Sequence, residues 1–298
     1  MSVAPNSELQ RGEKTLDAAR PSGMPRSYRP TRRQFVAGWA TIVMGSLFHG
    51  ARLSFGAQAP ASADPVTPTL LDDLVVANRI LADQGVLDAL GHVSVRHDRN
   101  PGRYFLSQSR SAELVVRDDV MEYDLDSTPT NGAERPMYFE RFIHGEIYRA
   151  RPDVKAIVHS HAPSLLPFGV SSVPLRALHQ SAAFIAEGVP IFDTRKAVGM
   201  TDLLVRDSTL GRALAQSLGP HHAVLMRGHG AVVVAPSLSL VVRRSISLEL
   251  NAKLQMQAMA LGGDIVALDP EEARKIMARE DAGLDRAWEL WKRKAMGK

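Results

Sequence analysis

Residues 154–161 read V-K-A-I-V-H-S-H, a short apolar run that ends in two histidines one residue apart. The run from Lys155 to His159 is continuously apolar after its lysine, the pattern of a strand buried on both faces. With strands and helices alternating along the rest of the chain, one α/β domain is the economical reading. Residues two apart on a strand share a face and lie about 6.6 Å apart, from a rise of about 3.3 Å per residue. His159 and His161 are therefore spaced to meet one metal ion at about 2.0–2.1 Å from each nitrogen. They are equally spaced to be strand-end histidines hydrogen-bonded to backbone. Ser160 faces the other way.

The rest of the chain alternates strands and helices irregularly, without a repeat. Leu70, Leu74, Ala77 and Leu81 stand at helical spacing, ending near Gly85. His92–Arg96 and Arg103–Ser107 read as strands around an N-P-G turn. Met137–Ala150 predicts a helix with Phe139, Phe142, Ile143 and Ile147 on its apolar face, stopped at R-P-D. Ala223–Met226 and Ala231–Val234 are two more strands, separated by R-G-H-G. Pro236 opens a long helix to about Leu261, and Pro270 a last amphipathic one to about Met296.

Residues 1–63 are a separate segment, leaving one domain over 64–298. T-R-R-Q-F-V-A precedes an uncharged apolar run from Phe35 to about Phe48, and then A-Q-A at Ala57–Ala59. A paired arginine, an apolar core and a small-residue cleavage site match a twin-arginine export signal. The run is short of the roughly 20 residues a membrane span needs, so no stable anchor is expected. The expectation is a periplasmic protein exported folded by the twin-arginine machinery. This segment holds eight Lys/Arg and three acids, net +5, against +4 for the whole chain. The mature part is thus close to neutral at −1, and the basic character is no footprint of nucleic-acid binding.

No cysteine is present in the 298 residues. Disulfides, thiolate nucleophiles, cysteine zinc sites and iron–sulfur clusters are excluded, so a metal would be held by histidine and carboxylate. Two residues could join the histidine pair. Glu140 lies nineteen residues before His159, in the first turn of the expected helix, where a carboxylate also simply suits a helix N-terminus. His229 lies in R-G-H-G, whose glycines permit a sharp turn and leave room beside the imidazole. Three histidines and one carboxylate suit zinc, manganese or iron. His144 reads as a packed helix histidine, and His221 and His222 as exposed turn residues.

The block E-R-F-I-H-G-E-I-Y-R-A-R-P-D-V-K-A-I-V-H-S-H, followed much later by G-H-G, resembles the class II aldolase/adducin family. So do L-G-H-V-S-V-R, Y-F-L-S and D-D-V-M-E-Y-D-L-D; the resemblance spans roughly residues 70–262. It implies a three-layer α/β/α sandwich around a mostly antiparallel central sheet, in a homotetramer with active sites at subunit interfaces. It implies that His159, His161 and His229 bind a divalent metal ion, with Glu140 as fourth ligand or as acid/base. A divalent cation chelated by a carbonyl and a neighbouring hydroxyl stabilises the enolate left when a carbon–carbon bond breaks. Either an aldehyde or carbon dioxide can be the fragment lost.

Three departures separate this chain from the sugar-phosphate aldolases it resembles. His92 stands in G-H-V-S where they carry G-N-x-S. S-Q-S-R-S, Ser107–Ser111, lacks the glycine of their phosphate loop. The tyrosine that fuculose-phosphate aldolase takes from a neighbouring subunit is missing, and His179 lies closest to its position. These features are similar to the decarboxylase branch, which acts on hydroxylated aromatic and pyridine dicarboxylates. That likeness implies a small-molecule substrate of this kind, with His179 or His92 as proton donor. Ser107, Ser109 and Arg110 would then bind the substrate, Arg110 gripping a second carboxylate through its planar fork. An aldolase acting on a hydroxy-ketoacid or sugar, and an adducin-like binding module without chemistry, are the alternatives.

Overall fold

The computed structural model describes residues 66–297; the expected export leader lies outside them. In chain order the elements are α1 (Pro68–Asp83), β1 (His92–Arg96), β2 (Arg103–Ser107), β3 (Val120–Asp124), α2 (Arg141–Ala150) and β4 (Ala156–Ser160). There follow α3 (Leu166–Val170), β5 (Ile191–Phe192), α4 (Thr194–Val198), α5 (Ser208–Leu218), β6 (Ala223–Met226) and β7 (Gly230–Ala235). Three helices end the chain: α6 (Leu238–Leu261), α7 (Pro270–Met277) and α8 (Leu284–Met296). The strands form one sheet in the order β3-β2-β1-β4-β7-β6-β5. Every pairing is antiparallel except β5 with β6.

The period of two along each strand sorts its side chains between two apolar cores. Val93, Val95, Ala156, Val158, Ala231 and Val233 face one core, closed by Leu74 and Ile80 of α1 and Val241 and Leu248 of α6. Ile157, Val224, Val232, Val234 and Leu106 face the other, closed by Ile143 and Ile147 of α2 and Leu210 and Leu214 of α5. Helices thus cover both faces, and the fold is the three-layer α/β/α sandwich around a mostly antiparallel sheet. At the centre of the sheet, β4 is buried along its whole length, which accounts for its apolar sequence.

Helix starts follow local chemistry. Pro68 opens α1, and Asp207 and Ser237 cap α5 and α6 by accepting from Leu210 N–H and Leu240 N–H. Asp269 and Glu272 form a reciprocal capping box on α7.

Four expectations require correction. Helix α2 begins at Arg141 rather than Met137, because the segment before it is tied to the loop after β2. Ser109 N–H donates to the Pro136 carbonyl at 2.8 Å, and the Tyr138 hydroxyl donates to the Arg110 carbonyl. Phe139 is consequently 70% exposed instead of lying on the helix's apolar face. The last helix is two, broken where Gly283 takes a left-handed φ of +73°. The strand closing on the histidine pair runs from Ala156 to Ser160 and stops before His161. His221 and His222 are half-buried rather than exposed. Among the described residues, no helix is long and apolar enough to cross a membrane.

Two predictions follow from packing. Gly211 of α5 lies against α2 so closely that a Cβ there would sit 2.5 Å from the Phe142 carbonyl oxygen. Gly211→Ala gains about 1 kcal/mol of helix propensity but overpacks against backbone, at a cost of about 1–3 kcal/mol. Urea unfolding is expected to show net destabilisation; an unchanged or raised midpoint would contradict the contact. His222 has its pKa pushed down to about 4, first by burial and then by Arg244. Folding therefore favours its neutral form, a contribution complete above about 6.5 and lost as pH falls towards 4. Thermal unfolding of His222→Gln across that window should show a shallower loss of stability on acidification than the natural chain.

Candidate metal centre

Four side chains from separate elements meet at one end of the sheet. Glu140 is the residue immediately before α2, and His159 is the penultimate residue of β4. His161 lies one residue beyond that strand, and His229 in the turn joining β6 to β7. The hairpin can press against the end of β4 only because residue 230 is glycine: an added Cβ would lie 2.1 Å from the Ser160 carbonyl oxygen. That close approach, with Gly228 turning the chain at φ +66°, sets His229 beside His161.

One ligand atom from each of the four lies within 4.8 Å of all the others. Glu140 Oε2 is 3.4 Å from His159 Nε2 and 3.3 Å from His229 Nε2. His161 Nε2 and His229 Nε2 are 3.2 Å apart. Each imidazole is oriented through its other nitrogen. His159 Nδ1 meets the Ala231 carbonyl at 3.2 Å and His229 Nδ1 the Leu203 carbonyl at 3.1 Å. His161 Nδ1 meets the Asp88 carboxylate at 3.1 Å. Carbonyls and carboxylates only accept, so each Nδ1 carries the proton and each Nε2 presents a lone pair. Glu140 Oε1 accepts from Val205 N–H at 2.9 Å, leaving Oε2 for the cluster.

These residues fit a divalent cation. His159 Nε2 is buried without a hydrogen-bond partner, and two imidazole lone pairs 3.2 Å apart repel unless a proton or cation lies between them. Burial disfavours ionisation of Glu140, but His159 and then His229 outweigh it and hold the carboxyl far below its usual range. His229 is raised in turn: burial pulls it down, and the hydrogen bond and charge of Glu140 more than compensate.

Glu140, His161 and His229 line a cavity of about 770 Å³, while His159 is fully buried. Leu90, Phe139, Leu203 and Leu204 give the cavity apolar lining, and Ser109, Arg110 and Ser111 polar lining. Leu203 holds a left-handed φ of +71°, unusual for a bulky residue, and its carbonyl is the one that orients His229. Another hollow, about 810 Å³ and lined partly by α7, contains none of these side chains.

Not every residue expected at the site is there. His92 lines the cavity from the start of β1, its ring centroid 5.1 Å from that of His159. Ser109 and Arg110 line it too, and Arg110 pairs with Asp119 at 3.3 Å. Ser107 does not, because the strand's alternation turns it into the interior, where its hydroxyl is 3.4 Å from that of Tyr138. His179 does not line this cavity either; it precedes a 3-10 stretch at Gln180–Ile185, half-buried, with Nε2 unpartnered. His144 is a packed helix histidine, fully buried. Sequence reading missed Asp88, Leu203 and Val205. The last two act through backbone groups, which no side-chain motif encodes, and Asp88 stands in an unremarkable loop.

Residues 72–256 match the model of the Class II Aldolase and Adducin N-terminal domain. Decarboxylase tropJ of Talaromyces stipitatus is 36% identical over 237 residues, covering 72% of this chain and 89% of that protein. The 3,4-dihydroxyphthalate decarboxylase of Arthrobacter keyseri is 28% identical over 215 residues, 68% of this chain and 84% of that one. Among solved structures, L-fuculose 1-phosphate aldolase from Glaciozyma antarctica superposes with a TM-score of 0.64 at 23% identity, covering 78% of this chain and 95% of that one. That match shows the shared fold. Sequence, fold and relatives agree: the chain belongs to the class II aldolase/adducin family and is an enzyme of its lyase class.

Proposed function

We propose that this protein is a divalent-metal-dependent decarboxylase of a hydroxylated aromatic carboxylate. The observation that carries the reading is the four-ligand cluster, three of whose members line a cavity that also carries apolar, hydroxyl-bearing and cationic side chains. A flat ring suits the apolar lining. A carboxylate suits Arg110 with Ser109 and Ser111. Decarboxylases among the relatives, one of them 36% identical, support the same branch. An adducin-like scaffold has no need of a complete and preorganised ligand set.

His159, His161, His229 and Glu140 would hold the cation. When bound, a divalent cation supplies Lewis-acid stabilisation for the electron pair left on carbon as the carbon–carbon bond breaks. The donor set accepts zinc, manganese or iron. Asp88 and the Ala231 and Leu203 carbonyls keep the three imidazoles aimed. Phe139 and Leu203 exclude water from the ring, and Arg110 orients the carboxylate that is retained. A proton from outside this cavity's own side chains, supplied by water or by His179 of a neighbouring subunit in the proposed tetramer, then takes the place of the carbon dioxide lost.

Export through the twin-arginine route and assembly as a homotetramer belong to the same proposal, the first supported by T-R-R-Q-F and the apolar run after it. In such an assembly, His179 acts on a neighbouring subunit's cavity, since it does not line its own.

Purified protein is expected to carry about one equivalent of divalent metal per chain. His161→Ala or Glu140→Gln should lower metal affinity roughly 10–100-fold, measured by competition with a chromophoric chelator. Less than about a tenth of an equivalent after metal loading would sink the site. Metal-loaded enzyme should release carbon dioxide from members of a panel of ortho-hydroxy aromatic carboxylates, and Arg110→Gln should raise KM more than it lowers kcat. Aldehyde release from hydroxy-ketoacids, with no carbon dioxide from the panel, would reassign the enzyme to the aldolases.

A further inference from the structure

Behind His92 runs a line of buried polar groups that the metal centre does not use. His92 Nδ1 is 2.7 Å from His144 Nε2, and His144 Nδ1 is 2.6 Å from Ser94 Oγ. Ser94 Oγ is in turn 2.8 Å from the Tyr148 hydroxyl. None of the four side chains is more than 1% exposed. Such a chain of single-proton groups has two self-consistent hydrogen-bond directions, and its far end decides between them.

The far end is Tyr148. Its hydroxyl has one proton and two acceptors within reach, Ser94 Oγ at 2.8 Å and the Lys155 carbonyl at 3.5 Å. That carbonyl already accepts from Arg96 N–H at 2.7 Å. The shorter contact wins, since a hydroxyl bond at 3.5 Å lies well outside the ordinary range of about 2.5–3.0 Å. Tyr148 therefore donates to Ser94. Ser94 must then turn its own proton to His144 Nδ1. A neutral His144 so engaged carries its proton on Nε2 and donates to His92 Nδ1. The remaining proton of His92 is left on Nε2, on the ring edge away from His144. Both imidazoles are fully buried and meet only neutral partners along the line, which favours the neutral form.

We infer that Tyr148, Ser94 and His144 are positioning residues that lock His92 as a neutral Nε2–H donor to the cavity, where it hydrogen-bonds an acceptor oxygen of the substrate, a carboxylate or phenolate. The same lock explains why His92, so near His159, stays out of the ligand set: a protonated Nε2 has no lone pair to offer a metal. The ligating histidines and His92 are thus held in opposite tautomer roles. Each ligand donates through Nδ1 and accepts at Nε2, whereas His92 accepts at Nδ1 and donates at Nε2. His92 keeps its proton throughout the reaction. The identity of the acceptor rests on the decarboxylase reading; the tautomer does not.

The experiment is long-range ¹H–¹⁵N correlation of the histidine side chains, with assignment by His92→Gln, on metal-free and zinc-loaded protein without substrate. The natural chain is expected to show His92 protonated at Nε2 in both states. His144→Leu should abolish that preference. His144→Gln should retain it, because the glutamine amide can donate to His92 Nδ1 while its oxygen accepts from Ser94. Tyr148→Phe gives an independent perturbation should His144→Leu fail to fold, and is expected to weaken the preference. Once a substrate is in hand, kcat in His144→Leu should fall roughly 10–100-fold with metal content unchanged, and His144→Gln should recover most of it. Protonation of His92 at Nδ1 in the natural chain, or an Nε2–H tautomer that persists in both His144→Leu and Tyr148→Phe, would overturn the inference. These readings need no turnover, so they stand or fall separately from the assignment as a decarboxylase.

Discussion

Everything at the active end of this molecule depends on acceptors placed behind imidazoles. A histidine can offer Nδ1 or Nε2, and an unrestrained ring offers a mixture. The Ala231 and Leu203 carbonyls and the Asp88 carboxylate remove that freedom for His159, His229 and His161. With each Nδ1 committed as donor, three lone pairs and one carboxylate oxygen are left to converge. The convergence is costly without a cation, since it leaves a buried nitrogen unpartnered and like poles facing one another. β-sheet register fixes His159, which pairs with His92 on one side and Val232 on the other, while the segments beside it carry Glu140, His161 and His229.

The register in turn depends on the two cores. Because β4 is buried on both faces, a slip of one residue would drive His159 into the α1/α6 layer and Val158 into the site. Apolar side chains on both sides of the strand therefore specify where the histidine points. Gly230 adds the last constraint, letting the β6–β7 hairpin approach the Ser160 carbonyl where any side chain would collide. The metal centre is in this sense a by-product of ordinary sheet packing, completed by one carboxylate at the start of α2.

Much of this was legible in the sequence because it is carried by side chains at fixed spacing. H-x-H on an apolar run, G-H-G between two strands and a glutamate before R-P-D are brought together by the fold. Strand limits at β1, β2 and β6 were readable from the alternation and the turn residues. What could not be read was carried by backbone or by tertiary context. Glu140 looks like a helix residue until Tyr138, tied to Arg110, holds the preceding segment extended. The Leu203 carbonyl and the Val205 N–H have no residue code at all. Ser107, Ser109 and Arg110 look like one binding loop, yet strand alternation turns Ser107 inward and leaves the other two facing the cavity. Strand β5 has only two residues and leaves no pattern to read, whereas β3 and α5, of ordinary length, went unread although Leu210, Leu214 and Leu218 stand at helical spacing.

The buried line from His92 to Tyr148 poses a question of stability as well as chemistry. Four polar side chains between the sheet and α2, two from β1 and two from the helix, would be replaced at little cost by apolar ones of similar volume, as Ile157 and Val232 show on the same face. Each unsatisfied member would cost about 1–3 kcal/mol, so the line is tolerable only if every proton has an acceptor. Only the direction that starts at Tyr148 meets that condition with short contacts, and it leaves one surplus donor, at His92. At the cavity lining that donor is free to meet an acceptor from outside the chain, whether water or a ligand oxygen. His92 and Arg110 both line the cavity, so the proposed hydroxylated aromatic carboxylate can meet both.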